Sequence, residues 1–199
     1  MNTFTNQRSE QAQATRERLI AAARRMFAQT GYHATGTPEL VAAASVTRGA
    51  LYHHFRDKEH LFEAVFLETA QELFDAASAE VGPLSGDRWR QLQQGLQTYL
   101  RLIAQSREIQ RILLVDGPSV LGWPKWRELQ SAFSLGSLIE SVGYLIEGNV
   151  IRPLSPLAGA HLILAALNEA ALMISHSETP EATRLEVGEV LQRLVAGLR

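Results

Sequence analysis

The amino-acid sequence predicts an all-α protein in which a three-helix head precedes a larger helical body. Apolar residues recur three and four positions apart along most of the chain, and no segment alternates apolar and polar residues as a strand would. Cap-then-proline pairs, Ser155-Pro156 and Thr179-Pro180, mark the starts of two helices. We therefore expect one domain at residues 11–58, with three helices, and a second at residues 59–199, with about six.

The first predicted helix follows a polar segment of roughly ten residues, which we expect to lack regular structure. It runs to about Gln29, and Gly31 is placed to end it, because glycine readily adopts the left-handed backbone that terminates many helices. Five apolar residues form its inner stripe: Leu19, Ile20, Ala23, Met26 and Phe27.

Residues 37–62 predict two short helices joined by a tight turn. Thr37 is a candidate cap for the first, and Thr47 for the second, which covers residues 48–54. The turn falls at Ser45, where a positive φ would carry a backbone penalty that glycine avoids. Two such helices form a helix-turn-helix, whose second helix enters the DNA major groove.

The body is predicted to contain six helices that are separated by glycine, proline and polar residues. The segment 81–86 ends the first of them, and the third loosens at 116–118. The predicted spans are 57–80, 87–105, 107–118, 124–147, 155–176 and 179–198. The most apolar run, 157–174, contains His161, Asn168 and Glu169. We interpret it as a buried helix, since about 20 mostly apolar residues are needed to cross a membrane.

The charges are unevenly distributed along the chain. Residues 1–60 contain eight Lys or Arg and five Asp or Glu, a balance of +3, whereas residues 61–199 contain eleven and sixteen, a balance of −5. A basic head on an acidic body is expected where the head meets the phosphates of a nucleic acid. The balance of the body favours a neutral or cationic small molecule over an anionic one.

Composition and motifs argue against an enzyme or a metalloprotein. The chain has no cysteine, which excludes disulfides and thiolate chemistry and fits a reducing cytoplasm. Its polar N-terminus lacks the apolar core of a signal peptide. The adjacent His53 and His54 point about 100° apart on a helix and cannot chelate together. We expect no catalytic residues, no metal and no cofactor.

The helix-turn-helix segment contains a distinctive block, Leu51-Tyr52-x-His54-Phe55, followed at once by Lys58-Glu59-x-Leu61-Phe62. It is accompanied by Gly31-Tyr32, Thr37 and Thr47-Arg48-Gly49. With these residues, the segment at about 14–66 resembles the DNA-binding domain of the tetracycline-repressor (TetR) family of bacterial regulators. The resemblance implies a DNA-binding head of three helices and a body that binds a ligand and dimerises.

Three residues of the second short helix are candidates to reach the base edges. The guanidinium of Arg48 can bond guanine O6 and N7, although a phosphate contact or plain solvent exposure is the alternative. Gly49 would let the helix approach the bases closely, and its cost of roughly 1 kcal/mol relative to alanine favours such a role. Ala50 could contact a thymine methyl group.

Six further residues match family positions that contact the sugar-phosphate backbone: Thr37, Thr47, Tyr52, His53, His54 and Lys58. The threonine hydroxyls and the Tyr52 phenol can donate hydrogen bonds, and Lys58 is expected as a point charge at the start of the next helix. For His54 the alternative is that it only braces the junction with that helix.

The resemblance places an effector pocket in the body. Bulky residues there are core more often than ligand contacts, so both roles remain open. The candidate ligand contacts are Trp89, Tyr99, Ile103, Leu113, Asp116, Trp123, Trp126, Phe133, Tyr144 and Asn168. Because Trp123 and Trp126 are three apart, they are expected to share a helix face, beside a bend at Gly122. The pocket is expected to hold an apolar or aromatic molecule.

The eighth and ninth predicted helices carry apolar stripes that need a partner surface. The resemblance implies that they pair with a second copy in a homodimer, and the alternative is that they close the monomer. We therefore predict a cytoplasmic regulator, in the first place a repressor, that binds a palindromic DNA operator as a homodimer and is released by a small molecule. The alternative is a small-molecule-binding or catalytic helical protein that does not use DNA.

Overall fold

The structure, a computed structural model, describes residues 3–82 and 86–199, with side chains from residue 9 onward. Within these residues all regular structure is helical, and the predicted all-α class is confirmed. The helices are α1 Thr3–Thr30, α2 Thr37–Ala43, α3 Arg48–His54, α4 Lys58–Val81, α5 Arg88–Gln105, α6, α7 Trp123–Glu147, α8 Pro156–Ser175 and α9 Pro180–Ala196. α6 is composite, with α-helical ends Arg107–Ile109 and Gly117–Leu121 and a π-helical middle, Gln110–Asp116.

The start of α1 differs from the prediction. The helix begins at Thr3 rather than near residue 11, because residues 3–10 contain no proline or glycine that would stop it. Its other end is as predicted, since Gly31 has φ +85° and its amide donates to the Phe27 carbonyl at 2.9 Å. Residues 1–2, which belong to the segment expected to lack structure, lie outside the described residues.

Of the two caps predicted for the helix-turn-helix, the structure confirms one and corrects the other. Thr47 accepts a hydrogen bond from Ala50 N at 3.1 Å, as a cap of α3 should. Asp57 likewise caps α4 by accepting from His60 N at 2.7 Å. The expected cap at Thr37 is wrong, because the Gly36 carbonyl accepts the first helical bond, from Leu40 N at 3.1 Å, and Thr37 is already helical.

Ser45 adopts the left-handed backbone that its place in the turn suggested. Its φ is +54°, in a region that residues other than glycine and asparagine seldom occupy. The reversal allows Val46 N to bond the Val41 carbonyl at 3.0 Å, which satisfies a carbonyl at the end of α2. The tight turn is therefore built with serine at a backbone cost.

The head core is formed where α1, α2 and α3 pack together and where α1 packs against α4. Its largest fully buried side chains come from all four helices: Phe27, Leu40, Leu51, Phe55 and Phe62. α4 then continues into the body, where Phe66 and Leu73 are also buried. One helix thus belongs to both cores, so a displacement of α4 in the body must also move the head.

The body is a bundle in which α8 packs against α5, α7 and α9. In the described part of the chain, α8 is the one helix with the length and apolar composition to cross a membrane. Ala160, Leu167, Ala171 and Ile174 on α8 are nevertheless buried against neighbouring helices. This burial is that of a core helix.

The predicted loosening of α6 begins earlier than residue 116. The backbone is π-helical from Gln110 to Asp116, and α-helix resumes at Gly117. The packing around Gly117 is tight, because a Cβ there would lie 3.0 Å from both Phe66 and Trp126. The break between α4 and α5 includes residues 83–85, which lie outside the described residues; Gly82, just before them, has φ +74°.

Candidate nucleic-acid interface and ligand cavity

The two sides of α3 differ sharply. Leu51, within the helix, and Phe55, just after it, are buried and anchor it to the head. Arg48, Gly49, Tyr52 and His53 are exposed on the other side. The Arg48 guanidinium carbon lies 5.6 Å from the centroid of the Tyr52 ring, so the cation and the aromatic ring lie together on this surface. The face is rigidly supported, basic and aromatic.

Gly49 is not required by the packing of the head. A Cβ built at this position would meet only Thr47 Oγ1, at 3.8 Å, which is an ordinary van der Waals distance. The residue is exposed and has an ordinary helical backbone. A side chain at position 49 would therefore project from α3 into the space in front of the helix without disturbing the head.

Of the remaining candidates for DNA contact, Thr37, Ala50 and His54 are half-buried and Thr47 is exposed. The His53 and His54 rings meet edge-on, with centroids 5.2 Å apart. Burial lowers the pKa of His54, with smaller contributions from His53 and Arg16. His54 is therefore biased towards the neutral imidazole and can donate one hydrogen bond at most.

Lys58 is held inside the head to a greater extent than the expected point charge. Its Nζ donates to the Tyr32 and Thr35 carbonyls, both at 3.0 Å, and lies 4.0 Å from the Tyr32 ring centroid. Burial lowers the pKa of Lys58. An ammonium has three donors, so one is left for a phosphate while two fix the loop after α1.

Two polar clusters join the head to α6. Arg24 of α1 donates to both carboxylate oxygens of Glu72 at 2.7 Å and to Glu108 of α6 at 2.7 Å. Hydrogen bonding to Glu72, with Glu108, raises the pKa of Arg24 further above its usual range. The second cluster is centred on Asp116, whose carboxylate accepts from Tyr32 N at 2.8 Å and from Arg111 Nε at 3.4 Å.

A cavity of about 400 Å³ lies between α4, α5, α7 and α8. We name it the Arg88 cavity. Apolar residues such as Phe74 and Val81 of α4 and Leu167 of α8 form most of its wall, and α7 contributes three serines. The polar side chains that α5 supplies are Arg88, Gln91 and Tyr99. It is the kind of apolar pocket with few polar groups that binds small molecules.

Two of these polar side chains, Arg88 and Tyr99, are in surroundings that change their properties. The Arg88 guanidinium carbon lies 4.7 Å from the Tyr144 ring centroid, and its Nη1 atom is buried without a hydrogen-bond partner among the described residues. Loss of contact with water raises the pKa of Tyr99 to about 12, although a hydrogen bond with Gln130 opposes the shift. Tyr99 is therefore a neutral phenol at neutral pH.

A second, open groove of about 630 Å³ lies between the start of α7 and α8. Trp123 and Trp126 line it, with His161, Asn168 and Glu169 opposite. The two indoles stack with centroids 4.8 Å apart, so the expected shared face is confirmed, and Gly122 makes the bend with φ +74°. Trp126 is 1% exposed and donates to the Leu113 carbonyl at 2.7 Å, whereas Trp123 is 52% exposed.

The structure does not bring the ten candidate ligand contacts together. Tyr99 lines the Arg88 cavity, and Trp123, Trp126 and Asn168 line the groove. The other six line neither space: Trp89, Ile103, Leu113, Asp116, Phe133 and Tyr144. Trp89, Ile103 and Leu113 are core, Asp116 binds the head, and Tyr144 holds Arg88.

Arg88 and three serines of α7 line the Arg88 cavity but were not among the residues predicted from the sequence. Ser134, Ser137 and Ser141 follow a three-and-four spacing on one face of α7, and all three line the Arg88 cavity. That spacing could have identified them, because small hydroxyl residues on an otherwise apolar helix face indicate a space beside it. Nothing in the sequence places Arg88 opposite that face.

α8 and α9 expose an apolar stripe. Six large apolar residues there are at least half exposed: Leu157, Leu162, Met173, Leu185, Val190 and Leu194. Leu162 and Leu194 reach 72% and 62% exposure. Large apolar residues clustered on two adjacent helices indicate a surface that is covered by a partner.

The chain matches two family models over most of its length. Residues 19–65 match the bacterial regulatory proteins of the tetR family. Residues 89–198, more than half of the chain, match the tetracyclin repressor-like C-terminal domain. The protein belongs to the TetR family. Like other TetR-family members, it is a DNA-binding transcriptional regulator that responds to ligands, with α1–α3 as the helix-turn-helix head.

Individual relatives agree with this family assignment. A TetR-family transcriptional regulator from Pectobacterium atrosepticum is 34% identical, and the two structures superpose with a TM-score of 0.82 over 95% of this chain and 96% of that one. The transposon Tn10 TetC protein of Escherichia coli is 25% identical over 147 residues, 74% of this chain and 73% of that protein. The regulator AcrR of Shigella flexneri is 37% identical over 75 residues, which is 31% of its length.

Proposed function

We propose that this TetR-family protein is a cytoplasmic repressor that binds a palindromic operator as a homodimer and releases it when a small molecule binds the body. The exposed face of α3 carries the proposal. A basic, aromatic helix face anchored by Leu51 and Phe55 is what a recognition helix in the major groove requires. The head's charge balance of +3, against −5 for the body, supports the same orientation towards DNA.

Direct contact with the bases is assigned to Arg48, Gly49 and Ala50. Arg48 is exposed and can present its guanidinium to a guanine, while Gly49 allows α3 to approach the bases. Contacts with the backbone are assigned to the other six candidates: Thr37, Thr47, Tyr52, His53, His54 and Lys58. The Thr47 oxygen already accepts from Ala50 N, but its hydroxyl hydrogen remains available to a phosphate.

The homodimer is assigned to the exposed stripe of α8 and α9. In a two-fold dimer the same stripe on both copies faces itself, so apolar residues meet apolar residues. Two heads related in this way would place their recognition helices about 34–36 Å apart, or a small multiple of this distance, to match two half-sites. The requirement for two half-sites is the functional reason for the dimer.

The effector site is assigned to the Arg88 cavity rather than to the groove at Trp123. Phe74, Ala77 and Val81 of α4 line the cavity, and α4 also packs in the core of the head. A ligand that fits only one position of α4 therefore favours one spacing of the two heads. Operator release follows if the ligand-bound spacing does not match the half-sites.

The test combines DNA selection with a variant that breaks the dimer. A random duplex library should yield a palindrome, and affinity for it should fall steeply between about 50 and 200 mM salt. Leu194→Glu should give a monomer by sedimentation and lose operator binding, because it places a charge on the stripe. Ala76→Glu, at an exposed position on α4, should do neither.

Two results contradict the proposal. A wild-type protein that stays monomeric at micromolar concentration would contradict the proposed homodimer. Failure to enrich any DNA sequence would instead favour a helical protein that binds or converts small molecules without using DNA.

A further inference from the structure

We propose that the Arg88 cavity selects an amphipathic carboxylic acid, with its carboxylate on Arg88 and its apolar chain or ring between α4, α5 and α7. The assignment of a ligand class follows from the wall of the cavity alone. That this acid is the effector that releases the operator, and not merely a ligand, rests on the proposed function.

The charge of the cavity wall determines the sign of the charge that a ligand should carry. Arg88 is the one charged side chain among the described residues that line the cavity. Residues 83–85, which lie outside the described residues, are Pro, Leu and Ser and carry no charge. No carboxylate of the described wall therefore neutralises the guanidinium. The body's balance of −5 does not apply to this wall, because none of the body's acidic residues is among the described residues that line the cavity.

One buried N–H group of the Arg88 guanidinium, at Nη1, also lacks a hydrogen-bond acceptor among the described residues. A buried donor on a charged group is costly unless an acceptor meets it. The face of the Tyr144 ring, 4.7 Å from the guanidinium carbon, attracts the cation but provides no lone pair to accept an N–H bond. A ligand carboxylate would supply both the missing charge and the missing acceptor.

The rest of the wall defines the other end of the ligand. Leu92 and Leu96 of α5 face Phe74 of α4 and Leu138 of α7 around the cavity, and each can contact only an apolar surface. The Tyr99 phenol and the serines of α7 offer a few neutral hydroxyl groups. A second charge on the ligand would find no partner in this region. An acid with one carboxylate and an apolar body of moderate size therefore fits the volume of about 400 Å³.

The experiment uses two matched probe series and calorimetry on the full-length protein at pH 7. Octanoate and 3-phenylpropanoate are compared with their primary amides and with octylamine. We expect the acids to bind about tenfold more tightly than the amides, because a charge-assisted bond is stronger than a neutral one, and the amine to bind most weakly. Arg88→Gln should remove the preference for acid over amide. Arg90→Gln, at an exposed arginine of the same helix, should preserve it.

Several outcomes overturn the inference. It fails if neither acid binds, if the amides or the amine bind as tightly as the acids, or if Arg88→Gln leaves the acid preference intact. Operator release is measured separately with the same probes. Acids that bind through Arg88 without releasing operator DNA would uphold the ligand class and contradict the proposed effector role. Release of the operator by the amide alone would uphold the effector role of the cavity and contradict the proposed ligand class.

Discussion

The carboxylate oxygen Oδ2 of Asp116 lies 2.8 Å from the backbone nitrogen of Tyr32 and accepts its hydrogen bond. Asp116 ends the π-helical part of α6, and Tyr32 follows α1 in the head. The side chain is buried, so this contact between body and head is shielded from water. Together with the Arg24–Glu108 ion pair, this hydrogen bond connects α6 directly to the head. The connection is separate from the apolar core that the head shares with α4.

Asp116→Ala is expected to lower the free energy of unfolding by about 1–3 kcal/mol, because the Tyr32 amide loses its acceptor. Operator affinity should also fall, although Asp116 lies outside α3, since the head is then held less firmly. Urea unfolding and fluorescence anisotropy with labelled operator measure the two effects. Asp75→Ala removes an exposed carboxylate of α4 and should change neither. Unchanged stability of Asp116→Ala would show that the contact is dispensable.

Gly49→Ala should affect stability and DNA binding in opposite directions. The free protein has room for the methyl group, so better helix propensity should raise the free energy of unfolding by up to about 1 kcal/mol. The same methyl group would stand between α3 and the bases and weaken operator binding. Thermal unfolding and anisotropy measure the two quantities. Wild-type operator affinity in this variant would refute the role of Gly49 in close approach.

Arg48→Ala should reduce operator affinity by roughly 1–3 kcal/mol and relax the preference at one base pair of each half-site. The exposed guanidinium is free to form the bidentate contact that distinguishes guanine. Selection from a library with a randomised half-site measures the preference. Arg25→Ala removes an exposed arginine of α1 and should leave every base preference intact. If Arg48→Ala also keeps them all, Arg48 contacts only the backbone or solvent.

Ser45→Gly should stabilise the protein by up to about 1 kcal/mol. The left-handed backbone costs a side-chain-bearing residue roughly 1–2 kcal/mol, and the greater freedom of glycine in the unfolded chain offsets part of the gain. Ser45→Ala keeps the penalty and should give no gain. Chemical denaturation of the three proteins compares them, and equal stability of the glycine and alanine variants would contradict the expectation.

The Arg24 cluster should contribute stability that depends on pH. Hydrogen bonding to Arg24 lowers the pKa of Glu72 below its ordinary value of 4.5. A carboxyl with a lower pKa in the folded state stabilises that state above its unfolded pKa, and this contribution is lost as pH falls through the folded pKa. Glu72→Gln should therefore destabilise at pH 7 and make progressively less difference below about pH 4.5.

The size of this effect is limited by solvent, since the Glu72 side chain is 54% exposed. We expect less than about 1 kcal/mol at pH 7. Urea unfolding of both proteins at pH 7, 4.5 and 3 measures it. Glu10→Gln, at an exposed carboxylate of α1, serves as the control. A difference between Glu72→Gln and wild type that is the same at every pH would contradict the ion-pair explanation.

Local features of this protein were determined by its sequence alone. Thr47 and Asp57 cap their helices and Gly31 ends α1 because these effects depend on residues within one helical turn. The motif of α3 was visible for the same reason. The cap of α2 was misplaced by one residue, since caps at Gly36 and Thr37 differ only in which carbonyl accepts the first bond.

Only the tertiary structure decided the contacts between distant segments. Burial of Trp126, the hold of Asp116 on Tyr32 and the place of Tyr144 beneath Arg88 each join residues of different helices. Helical spacing predicts which residues share a face, but not which other helix that face meets or where a gap remains between helices. The candidate ligand residues are therefore dispersed between the core, the junction and two cavities, whereas Arg48, Gly49, Tyr52 and His53 share the exposed face of one short helix, α3.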